Sequence, residues 1–297
     1  MPTLYTHQAE NVRKTWFLMV GFLIVVIALG WLFSQAWGNP SILYLAVIFA
    51  VLMNFFSYWY SDQIVVKLAG ARPASRQEFF DLYTVVENLA ITAGLPLPKI
   101  YIIPDSAPNA FATGRDTEHA VVAVTTGLLQ ILSKTELEGV IAHELSHIGN
   151  RDMLVSTVAV VLVGFIAILS DIFLRSRLYS FRGSDRNNRV GGLLLVLALV
   201  AAILAPIGAM LLQLAISRRR EFLADASGAL LTRYPDGLAS ALEKIGKAGA
   251  PLRRVSSATA HLYIANPFAD RGGLSRLFMT HPPVRDRIKA LLGRDKA

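Results

Sequence analysis

Four stretches of the chain are apolar runs: Trp16 to Phe33, Ile42 to Tyr60, Met153 to Leu174 and Gly191 to Ile216. Each is about twenty residues or somewhat longer, the length at which a helix crosses the roughly 30 Å hydrocarbon core of a bilayer. Between them the pattern changes. Gln77 to Ala93 reads as a helix, Lys99 to Ile103 and Ala120 to Thr125 as strands, and Ser217 to Ala297 as mainly helical. Beyond Ser133, which makes a capping box with Glu136, residues Leu137, Val140, Ile141, Leu145 and Ile148 recur at helical spacing. The layout this predicts is a membrane hairpin over 1–60, half of an aqueous domain over 61–152, a second hairpin over 153–216 and the other half of the domain over 217–297.

Composition agrees with the runs. A mean hydropathy of +0.47 with 54% hydrophobic and 17% charged residues excludes an ordinary soluble protein, in which about a quarter of residues are charged. The first run is too long for a signal peptide, whose apolar core spans about 7 to 15 residues, so it is expected to stay as an anchor. Arg13 and Lys14 precede the first hairpin and Lys67, Arg72 and Arg76 follow it, whereas Ser34 to Ser41 is uncharged. By the positive-inside rule both ends of that hairpin face the cytoplasm, across the cell inner (plasma) membrane. One feature opposes this topology. Arg175, Arg177, Arg182, Arg186 and Arg189 crowd the loop between the third and fourth runs, so either the earlier spans dominate insertion or the second hairpin does not fully cross.

The net charge of +8 is carried mainly by Lys and Arg beside apolar runs. That placement suits the lipid bilayer and its anionic headgroups, and no aromatic-interleaved basic patch points to nucleic acid. Because the chain has no cysteine, disulfides and thiolate metal sites are excluded, and a bound metal would need histidine and carboxylate ligands. The sequence carries no signal for oligomeric state.

Such ligands occur at His143-Glu144-Leu145-Ser146-His147. Two histidines four apart on a helix share a face and can close on one zinc ion, with the intervening Glu placed to activate water. Catalytic zinc usually takes a third protein ligand, for which Glu221 is the best candidate, and Asp225, one turn further on, can orient a ligand histidine. On spacing alone, Glu221 and Asp225 equally suit a solvated face that offsets Arg218, Arg219 and Arg220. Position favours the metal: His147 precedes the third run and Glu221 follows the fourth, each within about 10 Å of its end along a helix. Charges at Lys134, Glu136, Glu138, Arg151 and Asp152 keep this helix out of lipid.

The chain resembles the HtpX family of membrane-bound zinc endopeptidases, relatives of the CAAX prenyl proteases and the mitochondrial Oma proteases. The resemblance is carried by the paired N-terminal runs, Pro108-Asn109-Ala110-Phe111-Ala112, Ala142 to Ile148, Ser217 to Asp225, and Thr280-His281-Pro282-Pro283. It implies an α-helical integral membrane protein with about four spans in two hairpins and a mainly α (α+β) metalloprotease domain of the gluzincin type. It further implies one Zn2+ per chain on His143, His147 and Glu221, with Glu144 as base and Asp225 behind a ligand. His281 and Arg287 become candidate donors to the oxyanion, by likeness to a His and an Arg near the active site in relatives. The metzincin pattern is excluded, since Asn150 and Met153 stand where Gly and a third His would be expected.

Substrates implied by the resemblance are unfolded, misfolded or damaged membrane proteins, in quality control and the stress response. Asn109, Ala110 and Phe111 form an edge strand for an extended substrate, or Phe111 is simply buried beside a turn. Two other functions compete: a scaffold or chaperone-like protein with a zinc site that does not turn over, and a CAAX-type processing protease. An intact Glu144 argues against the first. His7, His119 and His261 have no partners at ligand spacing and are given no role.

Overall fold

The computed structural model describes residues 4–165, 218–248, 251–253, 259–265 and 282–293. The chain opens with a long helix, α1 (Leu4–Trp37), reverses through Gly38, whose φ of +62° lies in the left-handed region, and returns as α2 (Ser41–Trp59). Gly30 lets the two helices touch at Ala46, where a Cβ would collide, and Asn54 Nδ2 donates to Met19 O (3.2 Å) across the pair. Gln8–Gln35 and Ser41–Trp59 are each long and apolar enough to cross a membrane. Their outward faces expose Phe17, Tyr44, Leu45, Ile48 and Val51. An apolar surface of that kind is what lipid covers.

The third apolar run begins as helix α7 (Asp152–Phe165), which leaves the preceding helix at 82°. Leu154, Val155, Val158, Ala159 and Leu162 are buried against Leu18, Met19 and Phe22 of α1. The first half of this run is therefore covered by protein rather than by lipid. Its remainder, the fourth run, the Arg175–Arg189 loop and His281 lie outside the described residues. Among the described residues, two helices stand as candidate spans, or three if the bent pair Lys134–Gly149 and Asp152–Phe165 counts as one.

The aqueous part is mainly helical around a small mixed sheet. After α3 (Ser61–Leu68), strand β1 (Arg72–Pro73) and helix α4 (Phe80–Ala93) come β2 (Lys99–Ile103), β3 (Ala110–Thr113) and β4 (Val121–Thr125). The order is β1-β2-β4-β3, with β2 and β4 parallel and the two outer pairs antiparallel. Every residue of β4 is buried, as expected of a strand covered on both faces. Alternation sorts the two faces. Ile100, Ile102, Ala110, Ala112, Val122 and Val124 pack on α4 and the metal-motif helix, while Ile103, Phe111 and Ala123 meet Val65, Ala69, Val160 and Tyr263.

Next come the short α5 (Thr126–Ile131), which sequence periodicity had not suggested, and α6 (Lys134–Gly149), the HExxH helix. The expected capping box starts α6: Ser133 N donates to Glu136 Oε2 (2.7 Å) and Glu136 N to Ser133 Oγ (3.4 Å). Leu137, Val140, Ile141, Leu145 and Ile148 all enter the core. The second half of the domain supplies α8 (Arg218–Thr232), α9 (Pro235–Ala248) and α10 (Val284–Leu292). Helix α6 packs on α8 and α9, with α10 against those two, and two glycines permit the close approach. A Cβ on Gly139 would sit 2.7 Å from Leu238 N in α9, and one on Gly228 of α8 would sit 2.9 Å from His143 N.

Glu136 ties α6 to α9. Burial opposes its charge, but hydrogen bonds from Lys244 Nζ (2.7 Å), Ser240 Oγ (2.6 Å) and Ser133 outweigh this and lower its pKa from 4.5 to about 2. A lowered carboxylate pKa contributes stability above the unfolded value, and that contribution is lost as the pH falls from 4.5 toward 2. Because Lys244 is partly exposed, the contribution is discounted to about 1 kcal/mol. Glu136→Gln is expected to lower the melting temperature at pH 7 and to flatten its fall between pH 5 and 3, read by thermal unfolding in detergent.

Candidate metal centre

Helix α6 carries His143 and His147 on the face turned to α8, because residues four apart lie one above the other. Their Nε2 atoms are 3.1 Å apart and their rings are perpendicular. From α8, Glu221 brings Oε1 to 3.5 Å from His147 Nε2 and Oε2 to 3.8 Å from His143 Nε2. One ligand atom from each residue lies within 4.8 Å of the others. Ligand atoms about 2.0–2.1 Å from one tetrahedral ion are roughly 3.3 Å apart, so these separations fit a single small metal. Gly228, two turns along α8 from Glu221, allows the helix to lie this close to α6.

Behind each imidazole stands a carboxylate. His143 Nδ1 is 2.9 Å from Asp225 Oδ1. Asp225 is gripped by Arg287, Nε to Oδ2 at 2.8 Å and Nη2 to Oδ1 at 2.7 Å. Burial would raise the Asp225 pKa, but the bonds from Arg287 and His143 hold it well below the carboxylate range. The matching partner of His147 was not anticipated: Asp152 Oδ2 lies 3.1 Å from His147 Nδ1. It is five residues on, past the end of α6, and the signal available was an acid directly beyond the HExxH helix.

Glu144 is buried, and desolvation raises its pKa, reinforced by Glu221 and opposed by His143, His147 and Arg287. Burial also disfavours the charged form of His147, but Asp152, Glu221 and Glu144 outweigh it and raise the pKa from 6.5 to about 9. In the metal-free protein this imidazole holds its proton at neutral pH.

Arg287 is fully buried at the base of the site, and its Nη1 donates to Ile264 O (2.9 Å). Besides Asp225, it approaches Glu221 Oε2 (Nη1, 3.7 Å) and the His143 ring (Nη2, 3.4 Å), so it lies against the candidate ligands as well as behind them. Asn109, Ala110 and Phe111 are buried at the outer edge strand β3. The chain itself uses that edge: Ile264 N donates to Ala110 O (2.9 Å), and Asn109 Nδ2 donates to Ala265 O (3.1 Å). Phe111 packs edge-on against Tyr263. A substrate strand pairing at Ala110 would first have to displace residues 264–265. His119 belongs to a separate cluster, with Asp116 at 2.6 Å and Arg115 at 2.7 Å.

An HExxH helix faced by a carboxylate on a second helix, in a domain mounted on two apolar helices, is the framework of a membrane metalloprotease. Residues 76–295 match the family model "Peptidase family M48", and the chain belongs to that family. Its relatives include the "Protease HtpX homolog" of Caldanaerobacter subterraneus subsp. tengcongensis, 49% identical over 294 residues and 97% of both chains. The protein of the same name from Dictyoglomus thermophilum is 48% identical over 291 residues, 97% of this chain and 94% of the relative. The crystal structure of S. mikatae Ste24p matches with a TM-score of 0.49 at 19% identity, covering 97% of this chain and 67% of that one.

Two outcomes follow. Gly228→Leu is expected to drive α8 from α6, costing about 1–3 kcal/mol and weakening metal retention, measured by thermal unfolding and metal analysis. If His147 is a ligand, metal must displace its proton, so affinity should rise about tenfold per pH unit from 6.5 toward 9 and then level off. Zinc titrations at fixed ionic strength would check the slope.

Proposed function

We propose that the chain is a zinc endopeptidase that hydrolyses unfolded or damaged membrane proteins, with its protease domain on the cytoplasmic side of the cell inner membrane. The observation that carries the reading is the convergence of His143, His147 and Glu221 within 4.8 Å, with the buried Glu144 one residue from His143. Two imidazoles and a carboxylate make a suitable zinc set and leave one position open. When bound there, zinc supplies Lewis-acid polarisation of the scissile carbonyl and of the attacking water.

The chain's own groups do the rest. Glu144 takes the proton of the water and passes it to the leaving amine, a transfer helped by a pKa that burial raises. Asp225 holds His143 with its proton on Nδ1, leaving Nε2 for the metal, and Arg287 keeps Asp225 charged. His281 is retained as a candidate donor to the oxyanion. The cytoplasmic orientation rests on Arg13 and Lys14 in the N-terminal part of α1 and Lys67 after α2, set against an uncharged turn.

Detergent-purified wild type should cleave unfolded casein, and Glu144→Gln should bind as much zinc yet lose about 100- to 10,000-fold in rate. Equal zinc with cleavage by neither would favour a scaffold or a narrower substrate. A folded wild type without zinc would remove the ligand assignment.

A further inference from the structure

The C-terminal end of α6 is completed by the first membrane helix. Gln8 Nε2 donates to Gly149 O (2.6 Å) and Asn11 Nδ2 to Asn150 O (3.0 Å), satisfying carbonyls for which a helix end has no internal donor. The same Asn11 amide donates to Asp152 Oδ1 (2.8 Å). Asp152 Oδ2 is the atom 3.1 Å from His147 Nδ1. Asn11 and Asp152 are 4% and 5% exposed, so both contacts are shielded from bulk water.

We infer that the first membrane helix is part of the metal centre as well as an anchor: Asn11 is a positioning residue that sets Asp152 and, through it, the ring of His147. The inference rests on the reading of His147 as a metal ligand. An imidazole binding metal through Nε2 must keep its proton on Nδ1, and a fixed carboxylate at Nδ1 holds both tautomer and ring orientation. For His143 that carboxylate is Asp225, itself gripped by Arg287. For His147 it is Asp152, gripped by Asn11 at 2.8 Å and flanked by Arg220 Nη1 at 3.6 Å. Leu18, Met19 and Phe22, two to three turns beyond Asn11, pack on Leu154, Val155 and Val158 just after Asp152. That apolar seam sets the register between the membrane helix and the site, and a slip of one turn, about 5.4 Å, would carry Asn11 out of reach.

The test uses the full-length protein in detergent, with zinc affinity measured by chelator competition and metal-free folding by thermal unfolding. Asp152→Ala should weaken zinc binding about 10- to 100-fold and Asn11→Leu about tenfold. In the double variant the loss should be no greater than in Asp152→Ala, because Asn11 acts through that carboxylate. Asn54→Leu is the control, since it removes a hydrogen bond from α2 to the same first membrane helix without approaching the site. It should lower stability and leave zinc affinity unchanged. Wild-type zinc affinity in Asn11→Leu, losses that multiply in the double variant, or an equal loss in Asn54→Leu would each overturn the inference. Unchanged zinc affinity in His147→Ala would instead remove the ligand assignment beneath it.

Discussion

Helix α6 must carry two imidazoles and a carboxylate into the centre of a hydrophobic core, where His143 is 1% exposed and Glu144 2%. Buried ionisable groups are costly unless paired, by several kcal/mol for each ion left without a partner. The surrounding arrangement meets that requirement. Glu221 and Asp225 arrive on one face of α8, Arg287 arrives on α10 to balance Asp225, and Asp152 waits where α6 ends. A metal among the three candidate ligands would complete the charge balance that these carboxylates and the arginine begin.

The same requirement explains the close packing. A carboxylate on a neighbouring helix reaches an imidazole only if the two backbones nearly touch, and Gly228 against His143 N is where they do. One turn earlier along α6, Gly139 brings α9 equally near, which allows Glu136 to reach Lys244 and Ser240. The sheet supplies a rigid floor. Its edge strand β3 is held by residues 264–265, and the carbonyl of Ile264 in turn receives Arg287. Core packing and site electrostatics are therefore coupled through one short segment of chain.

Much of this was legible in sequence because it depends on local periodicity. The capping box, the shared face of His143 and His147, and the spacing of Glu221 and Asp225 are one-turn relations, which helical geometry fixes without knowledge of the fold. Asp152 was not legible. It stands five residues from His147, off the helical face, and reaches the ring because Arg151 takes a φ of +57° and α7 turns away at 82°. Arg287 was found only through resemblance, and its grip on Asp225, 62 residues away, is a tertiary fact. The same holds for Asn11 and Asp152, and for the sheet order, in which β4 inserts between β2 and β3.

The apolar run beginning at Met153 shows where hydropathy stops discriminating. A run of Val, Leu and Ala satisfies burial in lipid and burial in protein equally, because both remove the same surface from water. In α7 the covering is protein: Val155, Val158, Ala159 and Leu162 are fully enclosed, against α1 on one side, while Val160 joins the cluster beneath the sheet. In α2 it is not, since Tyr44, Leu45 and Ile48 remain exposed. The two kinds of apolar helix divide the labour. One pair presents an apolar surface outward, and α7 joins that pair to the HExxH helix through side-chain packing rather than through a flexible tether.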